Sequence, residues 1–295
     1  MLTKANQKSS GKPEMKLFAG ESLLVITGLI GLVLAAGIAV YIAIYGAVIL
    51  PEGNVERAFS FNAAIAMFVL SIAAFMPLSG ISPRNRTRVR WFFVLATLYS
   101  YGIETIQHFR GINPRFSQIG SISDRIAGGL FGLISLLIII VTVMTVIPFF
   151  RKRRPHERPL PVLGIRYGFL STLLAFAAGL WMIVLQSRYT GAEGNLIVLH
   201  GLGFHGLQAI PLLGWLLERA QSREGYARRL IHTGGIAWML SITLVGIQTA
   251  LGRSVFEWTA FPIFAGAALL IWLAALLVAA HGLQRPQQLT DSKSS

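Results

Sequence analysis

Long apolar runs, eight of them and each close to twenty residues, restrict this fold more than any other feature of the chain. A run of that length matches the hydrocarbon thickness of a bilayer, about 30 Å. Inside lipid a lone segment satisfies its backbone polar groups only as a helix. The runs are Leu23–Leu50, Phe61–Leu78, Trp91–Ile112, Ile126–Phe150, Gly168–Leu185, Leu196–Leu217, Ile231–Leu251 and Phe261–Ala280. Composition agrees: 54% of the 295 residues are hydrophobic and 13% charged, against about 25% charged in soluble domains. The expected fold is an all-α integral membrane protein with eight transmembrane helices. The first run is too long for a signal-peptide core and is expected to remain as a helix. Cysteine is absent, which excludes disulfides, cysteine-ligated clusters and thiolate chemistry.

Positive charge orients the spans. With the N-terminus inside, the outer segments hold only Arg57, Arg110, Arg115, Arg125, Arg188 and Arg253 of the 26 lysines and arginines. The remainder fall on the inner side, among them Arg84, Arg86, Arg88 and Arg90 in the second connection. Both termini are therefore expected in the cytoplasm, with the protein in a bacterial cytoplasmic membrane. The run Arg151-Lys-Arg-Arg-Pro-His-Glu-Arg158 reads as a topology signal touching anionic lipid, at about 1 kcal/mol per basic residue. The net charge of +14 thus implies the lipid surface as partner, and no nucleic acid.

That basic loop divides the chain. A cytoplasmic tail (1–20), a first four-helix half (21–150), a linker (151–164), a second half (165–282) and a tail (283–295) are expected. The halves echo each other. Ile106-Gln107-(x3)-Gly111 recurs as Ile247-Gln248-(x3)-Gly252, and Pro77-Leu-Ser-Gly80 as Pro211-Leu-Leu-Gly214. Four-span units repeat with one orientation, so the expected relation is a pseudo-two-fold axis along the membrane normal.

The polar residues concentrate in the outer half. At 100° per residue Glu104, Gln107, His108 and Gly111 share one face of the third span, with Tyr101 on its flank. A carboxylate in hydrocarbon costs several kcal/mol, so that face is expected to look at protein or water. In the sixth span His205 and Gln208 share a face and His200 lies nearer the outer end. Gly234, Ser241 and Gln248 make a small-and-polar stripe on the seventh. These side chains are the candidate ligand-binding set, with His108 and His205 as candidate metal ligands. His156, His232 and His281 read as interfacial.

Several features read as packing. Gly201-x-Gly-x-x-Gly206 has the letters of a dinucleotide fingerprint but neither the strand nor the βαβ unit it requires, so close helix approach is expected. Gly128-(x3)-Gly132 should likewise bring the fourth span against a neighbour. Pro211 is expected to kink the sixth helix, Asp124 to cap the fourth, and Trp91, Trp181, Trp215 and Trp258 to anchor span ends.

The stretches Gln107-His-Phe-Arg-Gly111 and His200-(x4)-His205-(x2)-Gln208 resemble those of uncharacterised bacterial eight-span membrane proteins. The layout is also similar to haem A synthase, which has two four-helix halves with a glutamate and histidines toward the outer side. The second, fourth and eighth spans offer no histidine in the outer half, and an extracellular cysteine pair is missing. Only the layout carries over.

Three functions compete. One is a pocket that binds or transports a small polar or protonatable ligand. Another is a redox protein holding haem b or a divalent metal through His108 with His205 or His200. The last is a non-catalytic membrane partner protein; whether the chain is an enzyme stays open. Reporter fusions within Arg84–Arg90 should read as cytoplasmic and fusions at Gln118 as external. The reverse pattern would invert the charge argument.

Overall fold

The computed structural model describes residues 17–151 and 158–284. The first sixteen residues of the expected N-terminal tail, residues 152–157 of the basic loop and the tail from 285 lie outside the described residues. Eight helices make up the described chain: α1 (Ser22–Tyr45), α2 (Val55–Phe75, continued by a 3₁₀ turn, Met76–Leu78), α3 (Pro83–Phe109), α4 (Ile122–Phe150), α5 (Pro159–Leu185), α6 (Leu196–Arg219), α7 (Glu224–Ala250) and α8 (Ala260–Gln284). Seven are long and apolar enough to cross a membrane. The exception is α3. Its first two turns carry Arg84, Arg86, Arg88 and Arg90, and its buried face holds Thr97, Ser100, Tyr101, Glu104, Gln107 and His108. Polar content, rather than length, sets α3 apart.

Helices begin earlier than the apolar runs. Asn54 accepts from the Glu56 N–H and starts α2 six residues before Phe61. Pro83, at a first-turn position that needs no N–H, starts α3 within the expected basic loop. The arginines are thus helical, and Glu21, fully buried at the start of α1, pairs with Arg86 and Arg90. The first run ends early as a helix: Gly46, at φ +84°, turns the chain into a short hairpin.

Among the described residues there are two such hairpins, and sequence reading missed both. β1 (Val48–Ile49) pairs with β2 (Gly53–Asn54) between α1 and α2. β3 (Tyr189–Thr190) pairs with β4 (Gly194–Asn195) between α5 and α6. Each hairpin docks on the C-terminal end of the third helix of its half. The Glu52 N–H donates to Gly111 O and the Glu193 N–H to Gly252 O, both at 2.9 Å. The Ile112 N–H donates to Gln107 O, as the Arg253 N–H does to Gln248 O. Val55 N–H to Ala47 O recurs as Leu196 N–H to Arg188 O. Every pair is 141 residues apart, as are both ends of α3 and α7 and the starts of α2 and α6. The Ile106-Gln107/Ile247-Gln248 echo lies in this register. The Pro77/Pro211 echo does not: Pro77 sits in the 3₁₀ turn and Pro211 in mid-helix.

Packing is tightest between α5 and α6. Gly164 lies against the backbone of Ile210 and Pro211, Gly168 against Gly206 and Leu207, Gly203 against Ala175, and Gly214 against Leu160. The glycine-rich letters of α6 therefore serve close helix approach, as small residues do in membranes. Gly201 is the exception and faces open space. Gly128 meets the Pro114 carbonyl in a loop and Gly132 meets nothing, so this pair does not seat α4 on a helix. α6 runs unbroken through Pro211, whose ring fills the groove beside Gly168.

The halves meet through one aromatic core. Phe68 of α2 packs edge-on against Phe176 of α5 and Phe204 of α6, while Phe169 of α5 touches Phe75 and Phe149. A Cβ at Gly203 would lie 2.7 Å from the Ala175 methyl. Gly203→Ala should therefore lower stability by about 1–3 kcal/mol through overpacking. Gly201→Ala should be neutral or slightly stabilising because alanine favours the helix. Thermal unfolding of the two variants in one detergent measures the contrast.

Candidate functional site

The polar face of α3 points inward, and helix ends and loops deliver its partners. Glu104 and His108, one turn apart, are both completely buried. The Asn54 N–H of the first hairpin donates to His108 Nδ1 at 3.1 Å. That bond fixes the tautomer: Nδ1 accepts, so the ring proton sits on Nε2, which faces Glu104 Oε1 at 3.4 Å. Because α3 ends at Phe109, Glu104 lies about 8 Å below the helix end, nearer the surface than the apolar run implied.

Arg115, in the loop between α3 and α4, turns back into the bundle. Its Nη1 donates to Glu104 Oε1 at 3.1 Å, and Nη2 stands 2.9 Å from Oε2 without hydrogen-bond alignment. The guanidinium carbon lies 5.5 Å from the centre of the Phe61 ring and 5.2 Å from that of Phe131. The Arg115 side chain is 37% exposed and Glu104 not at all, so the ion pair runs from the surface into the core. Around this pair several buried polar atoms lack partners: Asn62 Oδ1, Thr97 Oγ1, Tyr101 Oη and His108 Nε2. The amide of Asn62 donates to Thr105 Oγ1 at 2.9 Å. Buried polar atoms are normally paired; Ser241 Oγ and Thr249 Oγ1 on α7 lack partners as well.

Above the pair is a cleft of about 220 Å³ lined by Arg115, Ser117, Gln118, Arg125, Gly128 and Gln186 among others. Its rim is tied to the first hairpin by Glu52. One carboxylate oxygen accepts from Ser117 Oγ at 2.6 Å and the Asn113 N–H at 3.3 Å, the other from the Gln118 N–H at 2.8 Å. These bonds, the Ser117 hydroxyl foremost, hold the Glu52 carboxyl below its usual range.

The candidate residues divide. Tyr101, Glu104 and His108 share the buried face of α3, and His200 lies apart on α6. Gln107 instead donates to Asp124 Oδ1 at 2.9 Å, beside Arg110 Nη1 at 2.6 Å. Asp124 completes a capping box whose N-cap is Ser121, so it supports the cap and Ser121 provides it. Gln248 is the counterpart of Gln107: it donates to Ser254 O at 2.9 Å and accepts from Thr259 Oγ1 at 3.2 Å. Both glutamines fasten loops.

The α6 candidates scatter. Gln208 donates to Ser71 Oγ on α2 at 2.8 Å and bridges the halves. His200 donates through Nδ1 to the Ala175 carbonyl at 2.8 Å and stacks edge-on against Phe204. His205 is exposed on the surface of α6, so it shares no cavity with buried His108. The residues do not fit the expected haem or metal pair: both His108 nitrogens are already directed at protein atoms, and His205 points away. Among the described residues no group of three or more His, Asp or Glu side chains is arranged to hold a metal ion. His232, read as interfacial, meets Tyr167 Oη at 2.9 Å.

Sequence reading missed Asn54, Asn62, Thr105 and Arg115. Arg115 lies outside any apolar run and gives no periodic signal. Asn54 belongs to Glu52-Gly-Asn54, which recurs as Glu193-Gly-Asn195 at the 141-residue spacing. That repeat was the available signal for both hairpins. No family model, curated protein or solved structure matches the chain.

A carboxyl whose folded pKa is depressed contributes stability above its ordinary pKa and loses that contribution as pH falls through the folded value. Glu52→Gln should therefore lower the melting temperature at neutral pH. The difference from wild type should shrink as pH falls below the ordinary carboxylate value and through the lower folded one, where the wild-type carboxyl is also protonated. Paired melting curves across pH check this.

Proposed function

We propose that all eight helices cross the membrane as two four-helix copies related by a pseudo-two-fold axis along its normal, and that the first copy carries a binding site. The site is the Glu104–Arg115–His108 cluster beneath the hairpin-side cleft. Its function is to bind, or to pass across the bilayer, a small polar or protonatable ligand. The charge bias supports a bacterial cytoplasmic membrane with both termini inside, the hairpins outside and anionic lipid at the basic loops.

One observation carries the reading. The register of the hairpin bonds sets Asn62 against Gly203, Thr97 against Trp238, Tyr101 against Ile242 and Glu104 against Val245. In the same register Thr105 meets Gly246 and His108 meets Thr249, and Arg115 and Phe256 each stand three residues past the last matched bond, at Ile112 and Arg253. The second half builds the same helices, hairpin and docking bonds without one titratable residue at these positions. The frame does not need the cluster. A buried ion pair is seldom more stable than hydrophobic residues of similar volume, so stability is a poor reason to retain it. This weighs against a protein whose polar residues merely lock the bundle.

The test imports the second half's residues into the first. Glu104→Val combined with Arg115→Phe should leave the protein folded, within about 2 kcal/mol of wild type in thermal unfolding. Transport or ligand binding, assayed in vesicles, should be lost. Loss of the folded state would make the cluster structural and end the binding-site reading.

A further inference from the structure

Arg115 meets its surroundings as a bound ligand would. Its guanidinium has a carboxylate below it, Glu104, and two phenyl rings beside it, Phe61 and Phe131, at 5.5 and 5.2 Å. A buried acid with aromatic walls is the chemistry that recognises organic cations, through charge from below and ring faces from the sides. Arg115 reaches this place from a loop, and its side chain remains 37% exposed. The loop between α3 and α4 is three residues longer than the equivalent one between α7 and α8. It is held by Glu52, whereas the counterpart Glu193 is exposed. The arginine thus fills this space from a tether rather than from a helix.

The acid below it restricts what can take its place. Glu104 is wholly buried, and an unpaired carboxylate there is strongly unfavourable, so the replacement must bring positive charge. A proton would neutralise the acid but would leave the two ring faces without a partner. An anion is excluded by Glu104 itself. Resting on the binding-site reading above, we propose that the Glu104 subsite takes a small organic cation, an amine or guanidinium compound, in the space that Arg115 fills when the site is closed.

The test uses the full-length protein in detergent with methylguanidinium chloride as probe and sodium chloride at equal ionic strength as control. Arg115→Ala removes the tethered occupant. It should bind methylguanidinium saturably by calorimetry and gain thermal stability from it, with no such effect of sodium. Wild type should bind at least about tenfold more weakly, because its own side chain competes at high effective concentration. Arg115→Ala with Glu104→Gln should lose at least about tenfold relative to Arg115→Ala alone. Where Arg115→Ala does not fold on its own, the same proposal requires that methylguanidinium during extraction restore it. A folded Arg115→Ala without saturable binding overturns the proposal. So does binding that ignores Glu104→Gln, or a variant that the cation fails to restore. These failures differ from failure of the binding-site reading. If Glu104→Val with Arg115→Phe folds and loses transport in vesicles while a folded Arg115→Ala fails to bind methylguanidinium, the site stands and its cation chemistry falls.

Discussion

The bond from a hairpin N–H to the glycine carbonyl just past a helix end organises this molecule. A helix leaves four carbonyls unsatisfied at its C-terminus, and here the closing turn takes them up, as the Ile112 N–H does for Gln107 O and the Arg253 N–H for Gln248 O. Glu52 then ties that turn to the first hairpin through Gly111 O, and Glu193 ties its counterpart through Gly252 O. The approach is so close that a side chain at Gly53 or Gly194 would strike the backbone of the helix end. With α3 and α7 fastened in this way, the rotation of each helix is fixed. That rotation decides which residues face inward, and in α3 it turns Glu104 and His108 toward the core. The Asn54 N–H, one residue beyond the glycine, then sets the imidazole.

From that fixed point the two halves diverge. The second uses its inward face for apolar contact, joining Trp238, Ile242 and Val245 to Leu196, Leu199 and Ile210. The first fills the equivalent face with groups that hydrogen-bond or ionise, Glu104 and His108 among them. In the second half α5 packs closely on α6 through backbone–glycine contacts.

The helical class and the inward polarity of α3 were legible because hydrophobic length and 3.6-residue periodicity are local properties. Tyr101, Glu104 and His108 lie on one α3 face by spacing alone, and that face is buried. His205 failed because periodicity relates residues on one helix but says nothing about the angle at which that helix meets its neighbours. Glycine contacts along α6 orient Gly203 and Gly206 toward α5 and leave His205 outside. Gln107 and Gln248 misled for another reason: at a helix end an amide is more useful for tying down the next loop than for facing a cavity. Arg115 was invisible because its role depends on a loop folding back, and no periodic signal reports that.

A frame present twice, with chemistry in one copy only, has a practical consequence. Changes of lipid, temperature or detergent act on both hairpins alike, because Asn54 and Asn195 occupy matching places above matching helix ends. Glu104 connects to Asn54 through His108, whereas Thr249 holds the matching place below Asn195. The second hairpin is therefore an internal reference, and spectroscopic labels beside the two asparagines would separate a change at Glu104 from a change of environment within one molecule.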